Sequence, residues 1–130
     1  MAGNIDPIYG KVYKNPRLTL TAGSATYDGS AATLLFTADA TNGSRLTRVV
    51  LGARGTNVQT TLRLYTAIAG ASFAFFKEIF LPATTAGTGS AMLPLDFDID
   101  LGLGAAVQIY AHLSVAVASG YDVMLEAMDY

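Results

Sequence analysis

The chain has 130 residues, of which 52% are hydrophobic and only 14% charged, with a formal net charge of −2. An acidic balance, with an isoelectric point near 5.1, argues against a general binder of nucleic acid or anionic membranes, which needs excess lysine and arginine. There is no cysteine and no tryptophan, which excludes disulfides and thiolate metal sites and removes the strongest sugar-stacking ring.

The length fits one domain. Soluble domains carry about 25% charged residues, and a monomer of this mass exposes roughly 6,600 Å². So few charges on that area suggest a surface partly covered by other protein. The charges are also uneven along the chain. Residues 1–77 hold all eight basic residues and three acids, whereas residues 78–130 hold no basic residue and seven acids. Interleaved strands would blur that asymmetry; otherwise a basic patch on one copy could meet an acidic patch on another and set orientation.

Residues 1–16 are rich in proline and asparagine and read as an extended arm. Ile5, Ile8, Tyr9, Val12 and Tyr13 make it too apolar for a free linker. The polar start has no apolar signal core. From residue 17 the pattern has period two, broken by turn dipeptides every 10–14 residues or so, as in sandwiches and barrels.

Strands are predicted over Arg17–Thr26 and Ala32–Ala38, with Asp28-Gly29 as a hairpin turn between them. Asn42-Gly43 is a second hairpin signal before Arg45–Arg54, where Thr47, Val49, Leu51 and Ala53 share one face. In Gln59–Ile68, Leu62, Leu64 and Ile68 are expected inward, with Thr61, Arg63 and Tyr65 outward. Phe73–Leu81 is apolar on both faces: Phe73, Phe75, Ile79 and Leu81 on one, Phe76 and Phe80 on the other. Either a second layer covers it or a bulge interrupts it near Lys77-Glu78.

Met92–Ile99 sets Leu93, Leu95, Phe97 and Ile99 inward against Asp96 and Asp98. Ala106–Val117 and Tyr121–Met128 complete eight strands, with Val107, Ile109, Ala111, Leu113, Val115, Val117, Val123 and Leu125 inward. The uncharged run Leu101–Tyr121 is long enough to span a bilayer. Its serines, glycines, Gln108 and His112 favour an interior strand instead. The expectation is an all-β, eight-stranded antiparallel sandwich of jelly-roll type, with residues 1–16 as arm and 17–130 as domain.

No catalytic, cofactor or metal residues are expected. His112 is the only histidine, with Ser114 nearby and Asp122 able to lie across the following turn, but no nucleophile elbow accompanies them. Asp96, Asp98 and Asp100 resemble the start of a calcium loop, yet Leu101 and Val107 stand where glycine and glutamate belong. Gly102-Leu-Gly104 precedes a strand, not the helix a dinucleotide site needs. Arg45, Arg48, Arg54 and Arg63 could form a phosphate patch; a solvated strand face is the more ordinary outcome.

The order of short motifs is itself informative. Asn4-Ile-Asp-Pro7 in the arm is followed by Asn42-Gly-Ser-Arg-Leu46, Arg63-Leu-Tyr65, Lys77-Glu-Ile79, Leu81-Pro-Ala-Thr84 and a last hairpin ending at Asp129-Tyr130. In that order and spacing the chain resembles a family of small β-sandwich virion proteins of tailed bacteriophages and prophages. It departs at Ala127-Met128, where the family carries two glycines.

The resemblance implies a non-enzymatic structural role on the capsid surface of a particle made in the bacterial cytoplasm. The role would be decoration or cementing, with the major capsid protein or another virion protein as partner. Copies would associate as a trimer or dimer through Ile5, Ile8, Tyr9, Val12, Tyr13, Phe76 and Phe80. The alternative is a receptor- or carbohydrate-binding sandwich of a tail or fibre, using Tyr27, Tyr65 and Tyr110.

Overall fold

The computed structural model describes residues 12–87 and 95–130. The expectations for Ile5, Ile8, Tyr9, Met92 and Leu93 lie outside them. The described residues form no helix and nine strands: β1 (Val12–Lys14), β2 (Arg17–Leu20), β3 (Thr33–Thr37), β4 (Ser44–Ala53), β5 (Thr60–Ile68), β6 (Ala71–Leu81), β7 (Leu95–Leu103), β8 (Val107–Leu113) and β9 (Tyr121–Asp129).

They make two antiparallel sheets. Sheet A runs β1-β9-β4-β7, with β2 continuing β1 along the same edge of β9; sheet B runs β3-β8-β5-β6. With β1 and β2 counted as one interrupted strand, this is the eight-stranded jelly-roll order. The additional strand comes from the end of the proposed arm. Val12, Tyr13 and Lys14 pair with Asp129, Met128 and Ala127 of the same chain.

Side-chain alternation builds the core between the sheets. Leu46, Val49, Leu51, Val123 and Leu125 from sheet A meet Leu62, Leu64, Ile79, Ile109, Ala111 and Leu113 from sheet B, all nearly inaccessible to water. Deleting several methylenes at such sites typically costs about 2–5 kcal/mol.

Two of the register shifts, in β4 and in β6, change which residues face the core. In β4 the register against β9 passes from Leu46↔Ala127 to Arg48↔Glu126, leaving Thr47 as the extra residue. Its hydroxyl donates to the Glu126 carbonyl at 2.9 Å. The bulge sets both Leu46 and Val49 inward, although strict alternation places Leu46 on the face opposite Val49 and Leu51. In β6 the pairing jumps from Leu64↔Lys77 to Tyr65↔Phe75, so Phe76 is the extra residue. Phe76 packs against the core with Ile79 and Leu81, which separates it from Phe80 and sets Phe75 on the opposite, exposed face, away from the Ile79 and Leu81 it was expected to join.

Two other placements are corrected. Ile68 and Val115 are exposed: Ile68 ends β5 at the hairpin tip and Val115 lies past the end of β8. The expected hairpins also change. β2 and β3, β3 and β4, and β8 and β9 lie in different sheets, so the Asp28-Gly29, Asn42-Gly43 and Ser119-Gly120 turns carry the chain between layers. Among the described residues, consecutive strands form a hairpin at β5–β6, turned by Ala69 and Gly70 with positive φ at both.

Candidate interaction surface

The outer faces of the two sheets have different chemistry. On sheet A, β4 lies between β9 and β7. The basic residues of one strand therefore stand between two acidic strands from far along the chain. Arg48 bonds Glu126 at 2.7 Å and lies 3.4 Å from Asp96. The Arg45 Nε donates to Asp100 at 2.8 Å. Arg54 faces Asp122 at 3.6 Å, and Lys14 faces Asp129 at 3.7 Å. Hydrogen bonds to Asp100 and Glu126 raise the already high pKa values of Arg45 and Arg48. Four basic residues from the first part of the chain are thus paired with acids from the last part within one molecule, and the phosphate patch is not assembled.

Sheet B presents aromatic rings instead. Leu34 pairs with Tyr110, Tyr110 with Tyr65, and Tyr65 with Phe75. This places one apolar residue from each strand in a single row across the sheet. Phe73 meets Tyr110 edge-on with ring centroids 4.9 Å apart, and Phe75 meets Tyr65 at 5.7 Å and Tyr27 at 5.5 Å. Such edge-to-face pairs contribute about 0.5–1.5 kcal/mol each beyond area burial.

The strap Ser24–Ser30, between β2 and β3, lies over this face. Gly29 sits against the Phe73 ring; a Cβ there would come within 2.5 Å of it. The strap is held from beneath by Arg63, which is buried although it had been expected to face solvent. Its guanidinium donates to the carbonyls of Ser24 and Thr26 at 3.2 Å and to Glu78 at 3.3 Å, and it lies 3.8 Å from the Tyr27 ring centre. The Tyr27 hydroxyl also donates to Glu78. The second cover over the doubly apolar strand region thus comes partly from the same chain.

Beneath the strap, Tyr65 is fully buried and stacks on His112. The His112 Nδ1 is 3.0 Å from the Leu113 carbonyl, which can only accept, so Nδ1 holds the proton. Nε2 lies 2.9 Å from the Tyr65 hydroxyl, which also reaches the Thr26 carbonyl in the strap at 3.4 Å. Burial pushes the Tyr65 phenol above its ordinary pKa, with the charge of Arg63 opposing.

The structure brings Tyr27, Tyr65 and Tyr110 onto one face, but Tyr65 is the floor of the layer. Val12 and Tyr13 are exposed on the edge of the other sheet. Phe80 is exposed on the outer side of β6, opposite Thr61.

The residues weighed for chemistry lie on separate networks. Ser114 Oγ bonds the Thr61 N–H and adjoins Thr60, whereas His112 faces Tyr65. Asp122, on sheet A, accepts from Thr19 and faces Arg54. Asp96 and Asp100 are tied to Arg48 and Arg45. Among the described residues no cluster of three or more His, Asp or Glu could hold a metal ion. Sequence reasoning noted the aromatics of β6 but missed the strap and the burial of Arg63; the sole signal was an arginine inside an apolar strand. Comparison with protein-family models, curated proteins and solved structures returned no match.

Proposed function

We propose that the chain is a non-enzymatic virion structural protein of a tailed phage or prophage. It binds the capsid lattice as a decoration or cement protein and associates with itself through apolar surface. The observation that carries this reading is the contrast between the two outer faces. Sheet A is screened by ion pairs, whereas sheet B offers Tyr27, Leu34, Phe75 and Phe80 to solvent above a rigid aromatic layer. Exposed aromatics on a preorganised base suit a protein contact, because little side-chain freedom is lost on binding. The jelly roll, a fold also used by viral capsid domains, fits this role, though fold alone does not assign it.

The receptor- or glycan-binding reading draws on the same tyrosines. It is less favoured because Arg63 lies against one face of the Tyr27 ring and Phe75 meets its edge, and Tyr65 is buried.

The test is co-sedimentation of the purified chain with phage particles that lack it, followed by imaging of the particles. Saturable binding at lattice positions is expected. Deleting residues 1–11 keeps β1 in place, so that variant tests the arm alone: weaker particle binding is expected. Absence of the full chain from every capsid position, together with binding to a glycan or cell surface, would overturn the proposal.

A further inference from the structure

We infer that the strap Ser24–Ser30 is a lid with Arg63 as its latch: it opens as a unit from the outer face of sheet B while the sandwich stays folded. Opening is a property of the chain alone, so it can be measured whether or not the chain binds particles.

Little backbone ties the strap down. At its start the Ser24 N–H donates to the Leu113 carbonyl at 2.9 Å, and the chain re-enters sheet B at Thr33. In between, the Thr26 N–H donates to Ser24 Oγ, the Ser30 N–H to the Asp28 carboxylate and the Ala32 N–H to the Gly29 carbonyl. These bonds are internal to the segment and travel with it. The Asp28 side chain is exposed, so its charge stays in water whether the strap is closed or open.

Side chains of sheet B do the holding. Arg63 Nη1 donates to the carbonyls of both Ser24 and Thr26 at 3.2 Å. The Tyr65 hydroxyl reaches the Thr26 carbonyl at 3.4 Å, and the Tyr27 hydroxyl donates to Glu78 at 3.1 Å. Among the strap residues only Gly29 is buried, so opening returns little apolar surface to water.

The floor is complete without the strap. Once it lifts, Arg63 keeps Glu78 at 3.3 Å and the Tyr65 hydroxyl keeps the His112 Nε2 at 2.9 Å. The strap carbonyls pass to water. Tyr65 remains stacked on His112, with Phe73 and Phe75 edge-on to it. Partial unfolding is costly chiefly where it strands buried polar groups, and here each keeps a partner. Opening bares Tyr65 and Phe73, so the lid sets how much of the aromatic face the chain offers.

The test is cleavage of the natural chain by chymotrypsin after Tyr27, located by mass spectrometry and followed in urea concentrations below the unfolding transition. A protease needs an extended, detached segment. Global unfolding exposes most of the chain and climbs steeply with urea, whereas lid opening exposes little. Cleavage after Tyr27 that hardly changes with urea is expected. Arg63→Lys keeps a charge for Glu78 but loses the fork that reaches the carbonyls; cleavage faster by about tenfold is expected. Tyr27→Phe, at an exposed position, keeps the cleavage site and drops the Glu78 bond, and a gain of about threefold is expected. Arg45→Lys, on sheet A, should change nothing. Rates are scaled to those of each unfolded chain.

Cleavage that rises with urea as steeply as global unfolding would overturn the inference. So would equal gains in Arg45→Lys and Arg63→Lys, or Arg63→Lys and Tyr27→Phe chains cut no faster than the natural one. If Arg63→Lys does not fold, Tyr27→Phe alone decides.

Discussion

At the residue scale, a few polar side chains hold what the apolar pattern cannot. Asn57 is buried in the turn after β4, where its Oδ1 accepts from the N–H groups of Ser119 and Gly120 and its Nδ2 donates to the Gly120 carbonyl. Its backbone also pairs with Thr84. It ties three loops at one end of the sandwich. Asn57→Ala would strand one buried and one half-buried donor, so a loss of roughly 2–4 kcal/mol in urea unfolding is expected; a loss below about 1 kcal/mol would mean that water replaces the amide. The tyrosines make a second prediction. Burial raises the phenol pKa of Tyr65 and of Tyr121. A raised folded-state value means that their contribution is complete below the unfolded pKa of about 10 and fades as pH rises through the folded value. The melting temperature should therefore fall steeply above about pH 10. Absorbance titration should show two of the seven tyrosines ionising late, and simultaneous ionisation of all seven would contradict this.

At the element scale, the central position of β4 decides the electrostatics of sheet A. Arg48 reaches a carboxylate on each neighbouring strand, an arrangement available only to a strand with acidic partners on both sides. Exposed pairs of this kind contribute little individually, but reversing the charge creates repulsion on both sides. Arg48→Glu should lower the melting temperature more than Arg48→Gln. The gap should close as ionic strength rises from about 0.01 M to about 1 M. A gap insensitive to salt would point to lost packing of the arginine stem instead. The positions of most strands could be read from apolar alternation, because burial on one face imposes period two. Leu46 and Phe76 were misplaced because one inserted residue at Thr47 or Phe76 inverts the alternation beyond it. A bulge is a matter of pairing with a neighbour and leaves no period of its own.

At the scale of the whole molecule, the strap turns a two-layer sandwich into one with a partial third layer over sheet B. Gly29 has φ of +80° and no room for a Cβ against Phe73. Gly29→Ala is expected to cost roughly 1–2 kcal/mol. It should also speed hydrogen exchange in Ser24–Ser30 and increase binding of a hydrophobic dye. Unchanged exchange in the strap would show that Phe73 yields instead. This layer also accounts for the scarcity of charge: Arg63 and Glu78 are spent on holding the strap, and the rest of the face is ring and methyl.

Apolar alternation and turn residues were enough to read the all-β class, most strand positions, the inward-facing residues of β8 and β9, and the unusual apolarity of β6. Each of these follows from local alternation and turn chemistry. Which strands are neighbours follows from long-range packing. Asp28-Gly29 and Asn42-Gly43 specify that the chain turns, but not that it crosses to the other sheet. Long-range pairing converted an uneven run of charges into ion pairs on sheet A and gathered scattered aromatics into one face on sheet B. The low charge content that marks the chain is therefore concentrated on a single face, because β3, β8, β5 and β6 align their apolar residues in register.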